Sequence, residues 1–164
     1  MRDCQDVRVP RSLLIPFLLA PLLFAACGED DVATPTACLE GPAKIETALV
    51  TAPDAVLIDG RVPISDCLVG NQPQGEMINF GRGAVAAATR LGKDAGKSGP
   101  VAINAAIRAG YLVGAMEKAA EQSDGIHTAL VDRVTSAATY RLERAGEGTR
   151  IHYEAGLEAG RKTG

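Results

Sequence analysis

The stretch that decides the fold is AGYLVGA, Ala109–Ala115. Gly110 and Gly114 stand four residues apart, so in a helix they share one face, with Ala106 and Val113 beside them. A face of small residues lets two helix backbones approach closely, a device best known between membrane helices. The same helix carries Asn104, Arg108, Glu117 and Lys118, which argues against a membrane span. A tight crossing of helices inside one domain is the favoured reading. Its functional counterpart is a groove or self-association face with Tyr111 at its edge as an anchor residue.

Working outward, the helix gains a start and a stop. Ser98 and Gly99 are cap candidates, Pro100 fits a first turn, and Gly125 after Ser123-Asp124 fits a terminus. The apolar stripe between them is Ile103, Ala106, Ile107, Gly110, Val113 and Gly114. A preceding helix is expected from Pro73 onward, with Ile78, Gly81, Val85, Ala88 and Leu91 on one face. The segment LGKDAGKSGP, Leu91–Pro100, should break it. A following helix carries Ile126, Leu130, Val134, Ala137 and Ala138 and ends near Gly146. In the last stretch Gly156 and Gly160 repeat the four-residue spacing. Its glycines and polar end make it the weakest helix, open to fraying.

Composition supports the helical class. Aromatic residues make up only 4% of the 164 residues and Trp is absent. A core built from Ala, Val, Leu and Ile suits closely packed helices better than a sandwich of strands. The net charge of −3 and pI near 5.4 argue against a nucleic-acid partner, which calls for a basic footprint. The fold expected is all-α: a bundle of four to five helices, with an irregular N-terminal segment stapled by a disulfide.

That staple comes from cysteine arithmetic. GPAKIETALVTAP, Gly41–Pro53, reads as a short helix, and AVLIDGRVPISDC, Ala55–Cys67, as an extended or hairpin-like stretch around an Asp59-Gly60 turn. Cys38 and Cys67 flank this region. In an exported protein the pair is expected as a disulfide. Two buried thiols or a fragment of a metal site are the alternatives, although neither cysteine has a CxxC partner.

The export assignment rests on the N-terminus. Arg2, Arg8 and Arg11 precede LLIPFLLAPLLFAA, Leu13–Ala26, which holds no polar residue. At about 1.5 Å per residue this run reaches roughly 21 Å, short of the ~30 Å hydrocarbon core. Pro16 and Pro21 weaken it further as a spanning helix. A cleavable signal is expected.

At its end LFAAC, Leu23–Cys27, resembles the lipobox of bacterial lipoprotein precursors. Ala25, Ala26 and Cys27 match the pattern, and Phe24 departs from its usual Leu. The resemblance covers residues 1–27 and implies cleavage before Cys27 with diacylglycerol on its thiol. Two or three acyl chains, each burying methylenes at about 0.8 kcal/mol apiece, give durable attachment. It also implies an extracytoplasmic location on the cell membrane or outer membrane; Gly28, rather than Asp, gives no inner-membrane retention signal. Ordinary secretion with Cys27 incidental is the alternative.

The organisation expected is therefore a signal peptide (1–26), a lipidated cysteine with flexible tether (27–37), and one helical domain (38–164). Within the domain, 38–72 is irregular, 73–146 the helical core and 147–164 a weak helix or tail.

Motifs for chemistry are sparse. GKDAGKSG, Gly92–Gly99, ends like a phosphate-binding loop, yet Gly92 and Gly96 bracket three residues where four are needed, and no strand precedes them. His127 and His152, the only histidines, have no enforced partners for a metal site, so no metal and no cofactor is expected. No GxSxG elbow occurs, and no constellation supplies nucleophile, base and oxyanion donors, so an enzyme is not expected. Arg82, Arg90 and Arg108 could converge on an anionic ligand, with solvated surface ion pairs as the commoner outcome. The functional expectation is a membrane-anchored, non-catalytic interaction or scaffold module for an envelope protein partner. The alternative is a small-ligand binder with a pocket between helices near Tyr111 and Arg108.

Overall fold

The computed structural model describes residues 32–164. They form five α-helices: α1 (Pro42–Ala48), α2 (Gln74–Ala95), α3 (Pro100–Gln122), α4 (Thr128–Thr139) and α5 (Glu147–Thr163). A small hairpin, β1 (Leu57–Ile58) with β2 (Val62–Pro63), lies between α1 and α2. The class is all-α, as expected, and Cys38 and Cys67 are joined by a disulfide in the irregular N-terminal region. The expected signal peptide, Cys27 and the first part of the expected tether lie outside the described residues.

Helix α3 is the centre of the domain. Eight consecutive residues, Ala109–Met116, are all buried, because α2, α4, α5 and the single turn Ile64–Cys67 all pack around it. A helix that is apolar on every side has to sit inside. The AGYLVGA stretch meets that demand with no polar side chain beyond the Tyr111 hydroxyl.

The small residues at 110, 114, 156 and 160 meet one another. A Cβ built on Gly110 would overlap the Tyr153 carbonyl oxygen, and one on Gly114 that of Leu157. Reciprocally, Gly156 faces the carbonyl of Ile107 and Gly160 that of Tyr111. The contacts advance in the same direction on both helices, so α3 and α5 run parallel, backbone against backbone. The last stretch is therefore one continuous helix rather than a frayed tail. Its own propensity is weak, and what holds it is the fit of two glycine faces.

Helix α2 continues through Leu91–Ala95, where the glycines suggested a break. Gly92 lies against the carbonyl oxygens of Ala137 and Ala138, 2.5 and 2.7 Å from a would-be Cβ. A second close approach, α2 on α4, thus occupies the spot that resembled a phosphate loop. Only Gly96–Gly99 connects the helices, and Gly99 takes φ +70° at the start of α3. Helix α4 stops at Thr139, and a single turn, Leu142–Arg144, leads to α5.

Alanine-rich helices leave little bulk for a core, and the N-terminal segment supplies it. Ile45, Leu49, Val56, Ile58 and Ile64 are fully buried beside Phe80, Leu112 and Met116. The hairpin turns through the three-residue loop Asp59–Arg61, in which Asp59 and Gly60 take positive φ, a conformation that glycine adopts freely and Asp tolerates better than most residues. Residues 32–37 also differ from the expected tether. Thr34 and Ala37 are buried, the Val32 N–H donates to the Asn71 carbonyl at 2.9 Å, and the Thr34 N–H to the Glu76 carboxylate at 2.9 Å. That donation holds the Glu76 pKa below the usual carboxylate range. This stretch is docked on the start of α2.

Candidate functional site

The small residues that bring α2 onto α4 also shape an open groove. Gly81 lets Leu130 approach, with its side chain 3.1 Å from a would-be Cβ. Further along the same pair, Gly92 meets Ala137 and Ala138. The two helices therefore run in the same sense and draw together toward their C-terminal ends. Ahead of that closure lies a groove of about 710 Å³.

One wall is Met77, Ile78, Gly81, Arg82, Val85 and Ala86 of α2. The other is Ile126, His127, Ala129, Leu130 and Arg133, from the start of α4 and the turn before it. Ile78 and Ile126 are 50% and 64% exposed, and helical spacing puts Ile78 on one face with Gly81, Val85, Ala88 and Leu91. The buried face of α2 is instead centred on Phe80, Ala84, Ala87, Ala88, Leu91 and Ala95. Ile78 and Val85 stand at its margin and become groove wall.

The groove has a direction. Gly81 is level with Leu130, so Met77 and Ile78 lie beside Ile126 and His127 at one end, and Val85 and Ala86 beside Arg133 at the other. Arg82 stands between, on the side of α2. The apolar lining runs the length of the groove, and Arg82 and Arg133 rim it. Arg82 and Arg133 are both exposed, and neither forms an ion pair among the described residues. No acidic residue lines the groove.

His127 closes the end beside Met77. It is 3% exposed, and its Nε2 lies 3.0 Å from the Val69 carbonyl oxygen. A carbonyl can only accept, so Nε2 carries the hydrogen. Nδ1 is buried without a hydrogen-bond partner among the described residues. This histidine ties the start of α4 to the segment that bears Cys67. His152 is half-buried on α5, on another helix, and the two do not form a site together.

The other singled-out residues fall elsewhere. Arg90 is engaged with Glu46 of α1 at 2.8 Å, and Arg108 is half-buried on α3; neither lines the groove, and the three arginines do not converge there. Tyr111 is not a groove edge or an exposed anchor. It is fully buried, and its hydroxyl accepts from the Val56 N–H at 3.0 Å and lies 2.9 Å from Thr163 Oγ1. Thr163 already donates to the Ala159 carbonyl, so the tyrosine hydroxyl is the donor in that second bond. Tyr111 thus joins the N-terminal segment, α3 and α5 in the core. Cys38 and Cys67 are both buried and bonded, and Cys27 lies outside the described residues.

Sequence reasoning did not single out Arg133 or Ile126 as groove residues. The exposed isoleucines at 78 and 126 were legible as apolar, but nothing in the linear pattern showed that they face each other across α2 and α4. No protein-family model matches the chain, and no curated protein or solved structure matches it either.

Proposed function

We propose that this chain is a lipid-anchored, non-catalytic interaction module of the bacterial cell envelope, and that the α2–α4 groove is its recognition surface. The observation that carries the surface is the open apolar groove beside a closed core, with Ile78 and Ile126 exposed in it and Arg82 and Arg133 on its rim. Exposed apolar surface of this kind, rimmed by charge, marks interaction sites. The anchor rests on the LFAAC resemblance and on the short reach of Leu13–Ala26. An envelope protein partner is the first reading. Binding of a small ligand is the second, favoured by a groove volume that falls in the range of ligand sites, about 300–1,000 Å³.

Two measurements test the anchor and the surface separately. Metabolic labelling with a palmitate analogue should mark the wild-type protein and not Cys27→Ser, and only the wild type should resist a salt wash of the membranes. A photo-crosslinking residue at Ala129 in intact cells should give a defined adduct that Ile78→Asp with Ile126→Asp abolishes. The same residue at Val101, exposed at the start of α3, should not give it. Equal adducts from both positions would remove the groove from the proposal while leaving the anchor standing.

A further inference from the structure

We infer that the end of the domain where α2 and α4 begin is seated on the phospholipid bilayer that holds Cys27, with Ile78 and Ile126 set against its surface. This rests on the lipid-anchor reading above and adds which face of the domain the membrane meets. The described chain begins at that end. Val32 gives its N–H to the Asn71 carbonyl, Thr34 gives its N–H to the Glu76 carboxylate, and the Gln72 amide donates to the Thr34 hydroxyl. The chain from Val32 onward is thus fixed at the N-terminal tip of α2, and only Gly28–Asp31 separates it from Cys27.

Reach selects the end. The steps from Cys27 to Val32 span at most about 18 Å when fully extended, whereas α2, with 22 residues, is about 33 Å long. A lipid on Cys27 therefore keeps the start of α2 close to the bilayer, and the far end, where α2 hands over to α3, has no such tie. Apolar side chains are exposed at both ends: Val101, Tyr140 and Ile151 at the far one, Val32, Ile78 and Ile126 at the near one. The near set belongs to the corner where the chain leaves. Ile78 and Ile126 line one groove, and His127, next to Ile126, bonds the carbonyl of Val69, two residues from Asn71. Among the described residues no helix is long and apolar enough to cross a membrane, so the contact is peripheral. Arg82 and Arg133, with no acidic side chain in the groove lining, offer guanidinium donors to lipid phosphates. The groove runs on from this corner past Gly81 to Val85, so a partner reaches it from beside the membrane.

The chain has no Trp, so a single introduced Trp reports its position without background. The lipid-bearing protein is reconstituted in phosphatidylcholine vesicles with a nitroxide on the lipid headgroup and compared as Ile126→Trp, Ile78→Trp, Val101→Trp and Ile151→Trp. All four sites are exposed, so circular dichroism should show the fold unchanged. Fluorescence quenching at positions 126 and 78 should exceed that at 101 and 151 at least threefold. Adding Ile78→Asp to Ile126→Trp should lower quenching at least twofold, which separates a seat from mere nearness.

Equal quenching at the four positions, stronger quenching at 101 or 151, or no effect of Ile78→Asp would overturn the inference. So would a defined protein adduct from Ala129 with no quenching at 126, which would put a protein on this end in place of the bilayer. Palmitate labelling tells the failures apart. If the wild type is labelled and quenching is equal everywhere, the anchor stands and the seat is rejected. If the wild type is not labelled, the anchor is rejected and the seat with it.

Discussion

At Tyr111 a single hydroxyl stitches together three parts of the chain that are far apart in sequence. It takes the Val56 N–H as acceptor and gives its hydrogen to Thr163. Tyr111→Phe leaves the Val56 N–H buried and unpaired, a change that costs about 1–3 kcal/mol. The expected result is a lower urea midpoint with an unchanged slope. Tyr153 shows a second effect of burial. Only 5% exposed, its phenol is pushed up to about 12, mainly by desolvation and then by the charges of Glu154 and Glu117. The fold favours the neutral form, so this contribution is complete below pH ~10, the ordinary tyrosine value, and is lost as pH rises toward 12. An ultraviolet absorbance titration should show a tyrosine ionising near 12 in the folded protein, with thermal stability declining over the same interval. The sequence marked Tyr111 as notable and misplaced it. An aromatic on an otherwise apolar helix reads the same whether its hydroxyl meets water or a buried amide two segments away.

Among the elements, α5 shows most directly how packing overrides propensity. Three glycines, at 148, 156 and 160, weaken the helix locally, yet it runs unbroken from Glu147 to Thr163. The two glycines within α5 that face α3 cannot be filled. Gly156→Ala or Gly160→Ala places a methyl against a backbone carbonyl of α3, and backbone cannot step aside as a flexible side chain can. Each should destabilise by about 1–3 kcal/mol or more, in the manner of overpacking. Gly148→Ala is the internal control. Nothing lies within 4 Å of its would-be Cβ, so it should stabilise by about 0.5–1 kcal/mol through helix propensity. Chemical denaturation of the three variants separates the two effects by sign. The four-residue spacing was visible in the sequence, as was its use for close approach. That the glycine faces of α3 and α5 would pair with one another was not, because spacing reports a face and not its neighbour. The same limit explains Gly92. Read along the chain it looked like a helix breaker, and in the fold it is the contact between α2 and α4.

Across the whole molecule, the helices bring small residues and the segment before Gln74 brings bulk. Ile45, Leu49, Val56, Ile58 and Ile64 fill space that the alanine faces of α2 and α3 leave open. The disulfide closes this segment over a separation of 29 residues. Removing it with Cys38→Ser and Cys67→Ser frees a loop whose closure is worth roughly 3–4 kcal/mol in the chain-entropy model. The double variant should melt at a markedly lower temperature, and reduction of the wild type should lower it similarly. An unchanged melting temperature would mean that Ile45, Leu49 and their neighbours hold the segment without the bond. The sequence by itself determined the all-α class, the helical face of AGYLVGA, the Asp59-Gly60 turn and the cysteine pair. Each of these follows from local geometry or from counting, which a linear chain displays. Only the tertiary structure decided that α3 and α5 run parallel in backbone contact, that Tyr111 is interior, and that Ile78, Ile126, Arg82 and Arg133 share one groove. Those facts depend on which faces meet, and that is settled by steric fit between elements far apart in the chain.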